Sequence, residues 1–200
     1  MFRSLSYYHQ IEDGKVRGDP DEGSVWFQPK GGIIITKENE PSFRIPDGSA
    51  FNSGVNTEDI FILCGSNSMS DRLREGFKAV ACVEIRTVAL FCDRIKAELP
   101  PTASFRAERV VYYSKANEIG AKWAFPDMIA FSKNADDYDW QDEYRFCFSF
   151  TDALQHGKAT QTLTIPGPNP DAKPVPVVRV PREHPLTIKS LRDICKLHNF

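Results

Sequence analysis

The sequence predicts a single α+β domain with a mixed, mostly antiparallel sheet and few helices. Three observations carry this expectation. Short runs rich in β-branched and aromatic residues recur along the chain, separated by Gly, Pro, Asn and Ser clusters, and they read as strands. Only RTVALFCDRIKAEL holds a clear helical period, with Val88, Phe91, Cys92, Ile95 and Leu99 at three- and four-residue steps before Pro100-Pro101 stops it. Long polar connections without an internal repeat join these elements, which suits a compact α+β arrangement.

Phe2 to Ser6 reads as the first strand. The polar, Gly-containing stretch YYHQIEDGKVRGDPDEG follows as a loop or short helix with turns. SVWFQP and GGIIIT lie around Pro-Lys-Gly-Gly, a hairpin signal. Residues 37–59 read mostly as loop, with one short strand at Ser42 to Ile45. DIFILC is the strongest buried strand and GSNSMS the small-residue turn behind it. DRLREGF reads as a short helix, KAVACVEI as a strand and FRAERVVYYS as one further strand. DMIAFSK, after Pro126, is ambiguous. EYRFCFSF and ATQTLTI read as strands flanking a turn at Gln155-His156-Gly157. PGPNPDAKPVP is an extended connection without a core of its own, and VVRV and IKSLRDICKL supply a last strand and a last helix. Residues 1–152 are expected to form the core, and residues 153–200 to complete the same domain.

The chain has 200 residues, 41 % hydrophobic and 26 % charged, ordinary values for a globular protein able to bury one substantial core. A net charge of −2 gives no global attraction to nucleic acid or anionic membrane, though a local basic patch remains open. Apolar runs fall far short of the roughly 20 residues a membrane span needs, and MFRSLSYYHQ lacks the apolar segment of a secretory signal. A cytoplasmic location is expected. The irregularly spaced Cys64, Cys82, Cys92, Cys147 and Cys195 read as reduced thiols, and the scattered His9, His156, His184 and His198 give no metal-ligand spacing.

Three stretches invite chemistry. In WQDEYRFCFSF, alternation on a strand puts Gln141, Glu143 and Arg145 on one face, with Phe146, Phe148 and Phe150 anchoring the other. A strand fastened by aromatics holds a carboxylate rigidly; the plainer alternative is a solvated Glu143–Arg145 pair. In GSNSMS, Ser66 and Ser68 share a face at a strand end, where hydroxyls serve a ribose or a carboxylate, or simply make a turn. In MFRSL, Arg3 sits on a short strand, suited to bidentate phosphate capture or merely exposed.

In that chain order, Arg3, Ser66-x-Ser68 and Gln141-x-Glu143 resemble the Arg–Ser–Glu branch of the ADP-ribosyltransferase superfamily. With RGDPDEG, the Cys-Gly-Ser strand, VEI, VVYY and the K…Y..Q.EYR pattern, residues 1–152 look like an uncharacterised bacterial family distantly similar to DarT-type nucleic-acid ADP-ribosylating toxins. The resemblance implies a split sheet of ADP-ribosyltransferase type and NAD+ as substrate. It implies Glu143 beside an oxocarbenium-like ribose and Gln141 orienting the acceptor. It implies Ser66 or Ser68 positioning Glu143 or the ribose, Arg3 on the pyrophosphate or ribose, and Arg17 as a second phosphate ligand. Tyr8 or Phe77 would stack on nicotinamide. The first strand lacks the His-x-Thr pair of DarT-like relatives, which places this chain away from them. The implied protein is a toxin of an antiphage or toxin–antitoxin system, restrained by an antitoxin or chaperone. Its acceptor is a base in single-stranded RNA or DNA, stacked on Trp123, Tyr138 or Trp140, or else a protein side chain. Two further readings stand beside it: a non-catalytic partner-binding module, and a Mg2+ hydrolase using Asp136, Asp137, Asp139, Asp142 and Glu143.

Overall fold

The computed structural model describes residues 1–8, 16–36, 38–114, 126–166 and 180–200. In chain order the elements are β1 (Phe2–Ser4), α1 (Leu5–Tyr8), β2 (Ser24–Phe27), β3 (Ile33–Ile35), β4 (Phe43–Ile45), β5 (Ala50–Gly54) and β6 (Phe61–Ser66). Then come α2 (Asp71–Phe77), β7 (Ala81–Ile85), α3 (Val88–Glu98), β8 (Ser104–Arg109), β9 (Val111–Tyr113), α4 (Pro126–Ile129), β10 (Ser132–Asn134) and α5 (Ala135–Tyr138). The chain closes with β11 (Glu143–Ser149), β12 (Thr160–Thr164), β13 (Glu183–His184) and β14 (Cys195–Asn199). The result is an α+β domain of mostly antiparallel sheets with few helices; among the described pairs only β9 with β10 runs parallel.

The apolar run of β6 organises the central sheet, whose order is β13-β1-β6-β11-β8. β11 lies between β6 and β8 and is covered on both faces, so it is buried almost throughout. One face carries Phe146 and Phe148, packed with Phe2, Phe61 and the α3 residues Phe91 and Ile95. The other carries Cys147, packed with Leu5, Ile60, Ile62 and Phe131. Each large side chain so buried contributes about 1.5–3 kcal/mol, which pins the strand's register. Phe150 lies past the strand end and is 38 % exposed, so the aromatic anchor is shorter than alternation alone suggests.

Several boundaries differ from expectation. β1 ends at Ser4, where one helical turn begins. β2 and β3 do not form a hairpin: β2 pairs with β5 and β3 with β4. Gly31 and Gly32 both adopt positive φ, and a Cβ on Gly32 would lie 2.3 Å from the Ile45 carbonyl oxygen, so the turn throws β3 against β4. β5, a weak strand former by composition, is held between β2 and β12. β12 therefore pairs with β5 and not with β11. FRAERVVYYS divides at Val110, whose N–H turns to the Glu143 carbonyl. IKSLRDICKL forms no helix, because Leu191 and Ile194 are drawn into the core while Cys195–Asn199 pair with β7. VVRV falls largely outside the described residues, as does most of the Pro-rich stretch. Among the described residues no helix is long and apolar enough to cross a membrane.

Candidate functional site

Register places the three sequence motifs on neighbouring strands. Glu143 lies opposite Ser66 and Arg145 opposite Cys64, while Arg3 lies opposite Ile62. Cross-strand partners share a face, so Arg3, Cys64, Ser66, Glu143 and Arg145 look the same way. β1 reaches only as far as Ile62, which leaves the last part of β6 paired on its β11 side. A cleft of about 980 Å3 opens there. Arg3, Tyr8, Arg17, Ser66, Ser68, Phe77, Gln141 and Glu143, all expected from the sequence, line it together.

Its floor is a buried network of charge. Arg145 is fully buried; its Nε donates to Glu143 Oε1 at 2.6 Å, and its two terminal nitrogens donate to Glu22 Oε1 and Oε2 at 2.6 and 2.9 Å. A further bond from Arg145 goes to the Ala130 carbonyl at 2.6 Å. Lys133 donates to Glu143 Oε2 and to Gln141 Oε1, both at 3.1 Å, and lies 3.8 Å from Glu22. Two cations face two carboxylates, which is how a buried ionic cluster avoids an uncompensated charge. Burial alone would raise the Glu143 carboxyl, but Arg145 and Lys133 outweigh it and hold the group well below the usual carboxylate range. Burial likewise opposes the Lys133 charge, and Glu143 and Glu22 more than restore it. Asp19 lies outside this balance: burial and then Glu22 push it up to about 7. Cys64 is exposed as a residue, yet its thiol sits in the cluster against Glu143, and burial with that charge pushes it up.

The approach to Glu143 is not the continuous strand that alternation predicts. Gln141 ends a 3-10 turn, Asp139–Gln141, and Asp142 has φ 43°. That left-handed residue, a conformation Asp tolerates, returns the chain so that Gln141 and Glu143 still meet at Lys133. The turn is bolted from β6. Ser66 Oγ donates to the Gln141 carbonyl at 2.8 Å, and Asn67 Nδ2 donates to the Asp142 carbonyl at 2.9 Å. Ser66 thus supports the backbone of the turn, and the Ser68 N–H donates back to Ser66 Oγ at 3.3 Å. From β9, the Tyr112 hydroxyl accepts the Glu143 N–H at 2.9 Å.

Gln141 is engaged at both ends: its oxygen takes Lys133, and its Nε2 donates to the Val16 carbonyl at 2.8 Å. It fastens the segment bearing Arg17 to the cleft. Tyr138 does the same through Gly18, to whose carbonyl its hydroxyl donates at 2.8 Å. Tyr138 is buried beneath Lys133, which lies 4.5 Å over its ring, and so offers no face to a base. Trp123 lies outside the described residues. Trp140 packs against Phe77, with ring centroids 5.1 Å apart. Arg17 is exposed at the rim. Arg3 stacks over Tyr7 at 4.3 Å and donates to Glu183 at 3.1 Å, on a half-open surface.

Lys133 and Glu22 are the members that residue-by-residue reading missed, and Arg145 was expected only as a pairing partner. The one signal for Lys133 is its place in K…Y..Q.EYR. Asp136, Asp137 and Asp139 are exposed around α5 whereas Glu143 is buried, and no metal-holding group of His, Cys, Asp or Glu occurs among the described residues. No protein-family model, curated protein or solved structure matches the chain.

Proposed function

We propose that the cleft binds NAD+ and that the protein is a mono-ADP-ribosyltransferase whose acceptor is a base in single-stranded RNA or DNA. One observation carries the reading: Arg3, Ser66 and Glu143 stand on three adjacent strands of one sheet, on one face, and line one cleft. The cleft's 980 Å3 is at the upper end of the roughly 300–1,000 Å3 of small-molecule sites. Arg3 and Arg17 on the rim suit a pyrophosphate, and Tyr8 and Phe77 supply aromatic surface for nicotinamide.

In the reaction the ribose–nicotinamide bond breaks, with its electron pair leaving on nicotinamide. Glu143, kept ionised by Arg145 and Lys133, supports the positive charge that develops at the ribose carbon. A base nitrogen then bonds to that carbon, and the proton it sheds passes to solvent. The net charge of −2 favours an exposed single strand, whose bases stack on an aromatic such as Trp140, over a duplex that needs a basic face. A toxin of an antiphage or toxin–antitoxin system, held in check by a partner, is the setting that fits such chemistry.

The test is incubation with labelled NAD+ together with RNA, single-stranded DNA and cell lysate, for wild type and Glu143→Gln. Label on nucleic acid, absent in the variant, is the expected result. Label on protein alone moves the acceptor to a side chain, and label retained by Glu143→Gln removes Glu143 from the chemistry. A second reading has its own support: both Glu143 oxygens already meet protein cations, as in a purely architectural ion cluster. On that reading the protein is a non-catalytic partner-binding module, and no condition releases nicotinamide.

A further inference from the structure

We propose that Lys133 is the positioning residue of the cleft, fixing the Glu143 carboxylate and the Gln141 carboxamide relative to one another; as a statement about catalysis this rests on the transferase reading above. Lys133 is 5 % exposed and reaches the floor from β10, whose position is set by parallel pairing with β9. Its ammonium donates to Glu143 Oε2 and Gln141 Oε1 at equal distances of 3.1 Å. An ammonium has no acceptor, so Gln141 must present its oxygen to Lys133 and its NH2 to the Val16 carbonyl. One cation thereby sets the sense of the amide, the orientation of the carboxylate and the anchorage of the segment bearing Arg17. Arg145 does not substitute for it. Arg145's guanidinium is committed to Glu143, Glu22 and Ala130, and it makes no bond to Gln141 among those described.

Other groups also face the Glu143 carboxylate. They are Arg145 from its own strand, Cys64 from β6, Tyr112 from β9 and Tyr8 from α1, while Glu22 and Asp19, from the loop before β2, face Lys133. Arg145 and Lys133 are the cations in this set that bond the carboxylate, so removing Lys133 leaves Arg145 alone against two buried acids.

The test follows the Glu143 carboxyl by 13C NMR across pH in wild type, Lys133→Met and Lys133→Arg, its signal identified by its absence in Glu143→Gln. The expected result is a midpoint raised by about one pH unit or more in Lys133→Met, a tenfold gain in proton affinity, with the wild-type value kept in Lys133→Arg. The Gln141 carboxamide protons should exchange with water faster in Lys133→Met. In nicotinamide release the acid limb of kcat/KM should move up with the midpoint. An unchanged midpoint and unchanged exchange in folded Lys133→Met overturn the proposal. Should that variant fail to fold, Lys133→Gln, which keeps a donor without the charge, carries the same comparison with the same deciding results. A wild type that releases no nicotinamide defeats the proposed function, while the titration and exchange still decide whether Lys133 positions Glu143.

Discussion

Replacing Arg145 with Met tests whether the buried charge network is structurally necessary. Arg145 is wholly buried and makes hydrogen bonds of 2.6–3.4 Å to Glu143, Glu22 and the Ala130 carbonyl. Met fills similar volume but leaves two buried carboxylates facing one ammonium, with Glu22 still 3.8 Å from Lys133. Breaking such a pair from one side costs about 3–5 kcal/mol, a large part of the roughly 5–15 kcal/mol that holds a domain folded. The loss should depend on pH. The folded Glu143 carboxyl is lowered from its ordinary 4.5 to about 2, so its stabilisation is fully present above 4.5 and is lost as pH falls from there through the lower folded value. Urea unfolding of wild type and Arg145→Met should therefore differ by about 3–5 kcal/mol at pH 7, and by clearly less near pH 4 where protonation relieves the orphaned Glu143. Arg182→Met is the control: its partner Asp59 lies 2.9 Å away but Arg182's side chain is 51 % exposed. That change should cost about 0–1 kcal/mol. A loss at Arg145 below about 1 kcal/mol, or one of equal size at both pH values, refutes the reasoning.

Two further outcomes follow. Asp19 has its folded carboxyl pushed up to about 7 from an ordinary 3.8, so its contribution is intact below that lower value and is lost as pH rises toward 7. Asp19→Asn escapes this loss and should gain on wild type by about 1.4 kcal/mol per pH unit across the window, read from urea midpoints at pH 4 and 8; equal midpoints contradict it. A methyl on Gly76 would lie 2.6 and 2.7 Å from two Trp140 ring carbons, so Gly76→Ala should cost about 1–3 kcal/mol and shift tryptophan fluorescence. An unaltered melting temperature and spectrum would show that the ring is not held there.

What the sequence disclosed depended on whether a signal was local. DRLREGF became α2, capped by Ser70, whose hydroxyl accepts the Leu73 N–H, and RTVALFCDRIKAEL became α3 on its period, because a cap and a period both act within the segment. DIFILC and EYRFCFSF became the two central strands for the same reason. IKSLRDICKL also has helical spacing, but pairing with β7 and burial of Ile194 outweigh a propensity of tenths of a kcal/mol per residue. At the site, Arg3, Ser66, Gln141 and Glu143 could be listed from motif order; strand register brings Arg3, Ser66 and Glu143 to one cleft, and the turn at Asp142 brings Gln141. Their detailed bonds could not. Ser66 supports a backbone turn that only the left-handed Asp142 creates, and Gln141 serves Val16. Lys133 in SKNADDY and Glu22 in GDPDEG look like ordinary surface charges until distant strands enclose them.

The central claim is that Glu143 acts on NAD+ in this cleft. The most direct measurement is the rate of nicotinamide release from NAD+ in the presence of single-stranded RNA and DNA, for wild type and for Glu143→Gln shown to be folded. The account predicts release by wild type and a fall of about 100-fold or more in the variant, the scale expected when one electrostatic partner of the transition state is removed. No release by wild type with any acceptor, or equal release by both proteins, would contradict it.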